Sequence, residues 1–177
     1  MASWQPVMEQ LFLNRRAALI GYAALLAGND HDAEDLVHEA LVRTFSRARP
    51  GLVPEAAEAY VRRAILSAYL DGYRKRKRWI SVRHLLVPSA ASDGPERVTA
   101  QRLEIETALA GLSPRERACV VLRYYEDKTT PEIAEAIGIS DGAVKKYLGN
   151  AVRRLSVVLG PVPERHIEAI TVVKGRD

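Results

Sequence analysis

The stretch "TTPEIAEAIGISDGAVKKYLGNAVRRL", residues 129–155, divides into a short apolar-periodic segment, a glycine and a longer apolar-periodic segment, the pattern of two helices joined by a tight turn. Each part has a mechanical reason. Thr129 or Thr130 can cap the first helix, Ile133 and Ile137 face a core, small Ala134 permits close crossing, Gly138 can take the positive φ of the turn, and Ser140 caps the second helix. With Val144 in the core, a step of about 100° per residue puts Leu148, Ala151 and Leu155 beside it. Gly142, Lys146, Gly149 and Arg153 then point the opposite way, flanked by Lys145 and Asn150. That stripe offers donors to phosphates and base edges, and its glycines would let a groove come close, so the stretch reads as a helix-turn-helix. An ordinary helical hairpin with a basic solvated face is the alternative, and the rest of the chain has to separate the two.

Working upstream, "GLSPRERACVVLRYYED" (residues 111–127) supplies a Ser113 cap, Pro114 at the first helical position and an apolar face. Cys119 falls on that face without a His partner in sequence and reads as core packing. A further helix is expected from Thr99 to Ala110. The N-terminal half gives three more: Val7 to Ala27, stopped by "GND"; Asp32 to about Ser46, with the Asp32 carboxylate as cap; and Pro54 to about Arg78 after the loop "RARPGLVP". Between the halves, "ISVRHLLVPSAASDGPERV" (residues 80–98) mixes Pro, Gly, Ser and Asp with no sustained period and reads as a linker. No stretch alternates long enough to argue for a sheet. The expectation is an all-α protein of two small helical domains, residues 1–79 and 99–160, with a flexible linker over 80–98 and a tail over 161–177.

At 177 residues the chain can hold one sizeable core or two small ones, so length does not decide the division. Net charge is only +4, yet the window from Arg62 to Arg83 holds eight basic residues against the single acid Asp71. The positive charge is concentrated. The lone Cys119 excludes an intrachain disulfide and a Cys-cluster metal site, and His31, His38, His84 and His166 are scattered without ligand spacing. No metal and no cofactor is expected. No apolar run approaches the roughly 20 residues needed to span a bilayer, and the N-terminus lacks the pattern of a secretory signal, so a soluble cytoplasmic chain is expected. A nucleophile and base pair, a carboxylate dyad and a phosphate loop are all missing, which argues against an enzyme.

The charged window overlaps "AYVRRAILSAYLDGYRKRKRW" (residues 59–79), where aromatic rings are interleaved with cations. On a helical wheel Val61, Ile65, Leu66, Ala68, Tyr69, Leu70 and Tyr73 share one broad face, and Tyr60, Arg63, Ser67, Asp71 and Arg74 form the narrow other one. Asp71 would repel phosphate, so it is expected to pair with Arg74 or Lys75 at helical spacing. Cations hold a phosphate backbone and rings receive unstacked bases. The alternative is a solvated face with Tyr69, Tyr73 and Trp79 taken into the core.

The two halves together resemble the extracytoplasmic-function sigma factors of bacterial RNA polymerase over about Ala17 to Leu159. "DAEDLVHEALVRTF" is similar to the polymerase-binding helix of that family's region two, and "LSPRERACVVLRYYEDKTTPEIAEAIGISDGAVKKYLGNAVRRL" is similar to its region four. The resemblance implies a promoter-specificity factor that recognises minus-thirty-five and minus-ten elements and assists melting. It implies that Asp35, Leu36, His38 and Glu39 meet the clamp helices of the largest polymerase subunit, with the beta-subunit flap as a second contact. The family usually has Gln where His38 stands, which would make this contact weaker or pH-sensitive. It further implies that "SRARPGLVP" helps to capture a flipped base, that Tyr60, Arg63, Ser67, Arg74, Lys75 and Arg76 handle the single-stranded minus-ten element, and that Thr130, Gly142, Lys145, Lys146, Asn150 and Arg153 handle the duplex minus-thirty-five element. An anti-sigma protein is a further candidate partner. A LuxR-type regulator would suit the second half almost as well, and a helical adaptor docking on an acidic protein or membrane is the reading without DNA. The first half has no alternating strand and helix pattern for a LuxR-type receiver domain, and its basic-aromatic helix would have no task there.

Overall fold

The structure, a computed structural model, describes residues 4–46, 53–80 and 100–161; for Glu55, 74–80 and 100–103 only the backbone is described. Every regular element in it is helical: α1 (Gln5–Ala27), α2 (Asp30–Phe45), α3 (Pro54–Ile80), α4 (Ala100–Ala110), α5 (Pro114–Tyr124), α6 (Thr130–Ile137) and α7 (Asp141–Leu159). Helices α1–α3 pack on one another in one compact unit, and α5 and α6 pack with α4 around α7 in a second. The all-helical expectation holds. The expected linker lies outside the described residues from 81 onward, as do most of the loop after Ser46 and the tail from 162.

In the first unit, Gly28 ends α1 with φ 88°, its N–H donating to the Ala24 carbonyl at 2.8 Å. The cap of α2 differs from expectation. Asn29, not Asp32, is the cap: its Oδ1 accepts the Asp32 N–H at 2.8 Å, while its Nδ2 donates to the Asp32 carboxylate at 2.9 Å. Asp32 is thereby left in the first turn, where its charge faces the positive end of the helix dipole. Helix α3 begins at Pro54 as expected and runs two residues past Arg78, to Ile80. Leu11, Leu19, Tyr22 and Leu26 of α1, Ala33, Val37 and Ala40 of α2, and Ala57, Val61 and Ile65 of α3 form the core. The alanines on α2 and α3 let those helices approach closely, and each large apolar side chain buried there contributes roughly 1.5–3 kcal/mol.

Polar pairing closes the side of this core. Arg15 of α1 grips Glu58 of α3 through two hydrogen bonds, Nε to Oε2 at 2.8 Å and Nη2 to Oε1 at 2.9 Å. Arg62 adds an ion pair to Glu58 at 2.8 Å and lays its guanidinium 5.7 Å from the centre of the buried Tyr22 ring. The hydrogen bond from Arg15 holds the Glu58 carboxyl below the usual glutamate range, with burial opposing and the charge of Arg62 adding. A depressed folded pKa means that this stabilisation is present above the unfolded value and is lost as pH falls through the folded one. Glu58→Gln should therefore cost about 1 kcal/mol near neutral pH and flatten the acid limb of stability, read from urea melts taken between about pH 7 and pH 3.

In the second unit the expected caps are found. Ser113 and Glu116 make a capping box at the start of α5, Thr129 and Glu132 make another at α6, and the Ser140 hydroxyl accepts the Ala143 N–H at 3.2 Å to start α7. Gly138 takes φ 73° in the turn between α6 and α7, a conformation that strains any residue with a side chain. Cys119, Leu122, Ile133, Val144, Leu148 and Ala151 are all essentially inaccessible to solvent. Burial pushes the Cys119 thiol up to about 12, so it is a small core hydrophobe. Arg154 of α7 reaches the Gly111 carbonyl at 3.1 Å and the Glu116 carboxylate at 3.6 Å, fixing the long helix against the turn between α4 and α5.

Candidate nucleic-acid and polymerase interfaces

On α7 the inner positions Val144, Leu148, Ala151 and Leu155 are buried, and the opposite side carries exposed Gly142, Lys146 and Arg153 with half-buried Lys145, Gly149 and Asn150 beside them. A Cβ built on Gly142 or Gly149 meets no atom within 4 Å. Packing within the chain therefore does not require either glycine, and both lie on the side open to a partner. Arg153 is already engaged: its Nε donates to the Gly149 carbonyl at 3.2 Å and its Nη2 to Asn150 Oδ1 at 2.7 Å. From α5, Arg115 donates to the Tyr147 hydroxyl at 3.4 Å, at the edge of the same helix.

Thr130, expected in the duplex-binding set, is buried at the start of α6. Its side chain is only 6% exposed, and its hydroxyl accepts from Arg123 Nη2 at 3.3 Å while Arg123 Nη1 donates to the Lys128 carbonyl at 2.8 Å. The buried Arg123 thus consumes Thr130 to brace the loop entering α6, and Thr129 is the residue that caps.

On α3, Tyr60 and Tyr73 are exposed at 55% and 41%, Arg63 and Ser67 are exposed, and Tyr69 is half-buried. Tyr73, assigned by the wheel to the apolar face, is thus uncovered. The side chains of Arg74, Lys75, Arg76 and Trp79 lie outside those described. For Asp71 a partner comes from another helix: Arg43 Nη1 of α2 stands 3.9 Å from its carboxylate, and Ser67 Oγ is 3.5 Å away.

Asp35, His38 and Glu39 are exposed on one side of α2 and Leu36 is half-buried. His31 Nε2 lies 3.7 Å from the Asp35 carboxylate one turn on, and Arg43 pairs with Glu39. Val42 continues this face and is 55% exposed. It was not among the residues that sequence reasoning selected, since a single exposed apolar residue is ordinary on a protein surface and periodicity does not mark it. Among the described residues no group of His, Cys, Asp or Glu is arranged to hold a metal ion, and no helix is long and apolar enough to cross a membrane.

The sequence family "Sigma-70 region 2" matches residues 11–79, which hold most of α1 and all of α2, and "Sigma-70, region 4" matches residues 102–155, which hold the helix-turn-helix. The RNA polymerase sigma-E factor of Streptomyces avermitilis is 35% identical over 147 residues, 83% of this chain and 82% of its own length. The chain belongs to the ECF sigma factors of the sigma-70 family. Another similar member is the ECF RNA polymerase sigma factor SigL of Mycobacterium tuberculosis, 32% identical over 161 residues, covering 86% of this chain and 89% of that one. Among solved structures, the sigma factor RpoE of Bartonella quintana, crystallised in complex with the anti-sigma factor NepR, shares the fold with a TM-score of 0.64 at 22% identity, over 85% of this chain and 95% of that one. The ECF sigma factor is accordingly a promoter-recognition subunit for RNA polymerase, and its family carries out no catalytic step of its own. A LuxR-type regulator would account for the helix-turn-helix alone and would leave the region 2 match without a place.

Proposed function

We propose that three surfaces divide the work of initiation. The exposed side of α2, with Asp35, His38, Glu39 and the adjoining Val42 and Leu36, docks on the clamp helices of the largest polymerase subunit. The outer side of α3, with Tyr60, Arg63 and Ser67, continues into the basic run Arg74, Lys75 and Arg76 and holds the melted minus-ten strand. The outer side of α7, with Gly142, Lys145, Lys146, Asn150 and Arg153, enters the duplex at the minus-thirty-five element. Residues 1–79 act as region two, 80–98 as linker, 99–160 as region four and 161–177 as an appendage. Region four also meets the beta-subunit flap, and an anti-sigma protein is a regulatory partner, as NepR is for the Bartonella quintana RpoE.

The observation that carries this is the outer side of α7: two exposed cations and two glycines with open space above them, opposite a fully buried apolar stripe. Fold stability calls for neither feature, whereas a helix lying in a major groove uses both. On the polymerase side, the double variant Asp35→Ala with Glu39→Ala should weaken competition for core polymerase by about 1–2 kcal/mol, roughly 5- to 30-fold. If the folded double variant competes as well as the parent, the assignment of α2 fails.

A further inference from the structure

The contact between Arg153 and Asn150 sets the chemistry that Asn150 can offer to DNA. A carboxamide is a two-ended group: Oδ1 accepts and Nδ2 donates, and which end faces a base decides what is read. A guanidinium only donates, so the Asn150 atom 2.7 Å from Arg153 Nη2 must be the oxygen. Arg153 is itself held from behind, because its Nε donates to the Gly149 carbonyl. The oxygen already carries a charge-assisted bond, which draws electron density from it and makes it a poorer acceptor for a second, neutral donor. Nδ2, in contrast, is in no hydrogen bond recorded among the described residues and keeps both N–H groups for a ligand. Bidentate pairing of Asn with adenine needs the oxygen to accept from N6 while the nitrogen donates to N7. Guanine presents two adjacent acceptors, N7 and O6, and asks only for donors.

We infer that Arg153 is a positioning residue which fixes the Asn150 carboxamide with its oxygen held and its NH2 outward, so that Asn150 selects guanine over adenine at one position of the minus-thirty-five element. This rests on α7 being the helix that reads that element. The test is selection from a promoter library randomised through the minus-thirty-five element, using the full chain reconstituted with core polymerase. The parent should enrich guanine at one position, and Asn150→Ala should erase that preference there and nowhere else. Arg153→Ala should exchange guanine for adenine at the same position, a swing on the order of tenfold in relative enrichment. Arg153→Lys, whose ammonium can still donate to Oδ1, should keep guanine. Loss of a mere phosphate contact would depress all sequences together and flatten the salt dependence, with no exchange of bases. That result for Arg153→Ala, or a parent that already selects adenine through Asn150, overturns the inference. Lys146→Ala is the separate control: if it leaves duplex recognition intact, the placement of α7 in the groove fails and the inference with it. If it weakens recognition and Arg153→Ala produces no exchange, only the inference fails.

Discussion

Leu148→Ala should lower the stability of the second unit by about 2–5 kcal/mol, because it empties a fully buried position in a packed core whose neighbours relax only in part. Leu148 is 1% exposed on α7, and the helices of its unit supply Cys119, Ile133 and Val144 as equally buried side chains. Removing three carbons, the branch point and its two methyls, forfeits their transfer free energy and leaves a cavity among close-packed neighbours. For a unit of this size, each kcal/mol shifts the midpoint by roughly 4–8 °C, so the displacement should be well outside error in calorimetry. The first unit, built from α1–α3, should melt where it did before. A single transition that moves as a whole would show that the chain unfolds as one cooperative body, against the proposed division into two domains.

The second large effect falls on DNA opening. Tyr60 and Arg63 stand three residues apart on the exposed side of α3, on the same side as Ser67 one turn further on. Stacking on an aromatic side chain is worth about 1–3 kcal/mol per base, and the cation beside it holds the backbone of the strand that has left the duplex. Tyr60→Ala with Arg63→Ala should therefore reduce permanganate-detected opening near the start site by roughly 10- to 100-fold on a linear promoter with saturating holoenzyme. A template melted in advance across the same region should recover most of the loss, since the energy of unpairing has been supplied by the mismatch. Equal loss on both templates would mean that the two residues support folding or polymerase docking. Neither residue is buried, so the variant should remain folded by circular dichroism.

How much of this was legible in the sequence depends on the range of the signal. The caps at Ser113, Thr129 and Ser140, the glycine turn at Gly138 and the inward stripe of α7 are local, each written within a few residues, and the structure repeats them. Where two local signals compete, the sequence alone does not choose. Asp32 is the expected cap of α2, yet Asn29, three residues earlier, is the cap and Asp32 its hydrogen-bond partner. Contacts of longer range lie beyond a local reading. Thr130 is buried with its hydroxyl accepting from Arg123, seven residues earlier, and Asp71 has Arg43 of another helix near its carboxylate, a neighbour that intrahelical spacing cannot indicate. A wheel gives the direction of Tyr73 but not how far the neighbouring helices reach along α3 to cover it. The same blindness hid Val42, and with it exposed Phe12 and Leu13 on α1, since periodicity assigns apolar residues to cores and marks no exceptions. Periodicity and donor chemistry assign the stripe of α7 to DNA, whereas the polymerase-binding and minus-ten roles expected of α2 and α3 come from the family resemblance.

The open space above Gly149 has a bearing on any attempt to improve this protein. Alanine there would meet nothing within 4 Å and would relieve a helix-interior glycine penalty of roughly 0.5–1 kcal/mol. A screen that scores expression or melting temperature would therefore promote Gly149→Ala, and, with α7 in the groove as proposed, a screen that scores promoter choice would reject it because the added methyl would stand between the helix and a base edge. The position is one where selection for folding and selection for reading pull in opposite directions, and a variant optimised on the first criterion alone would emerge sturdier and less discriminating.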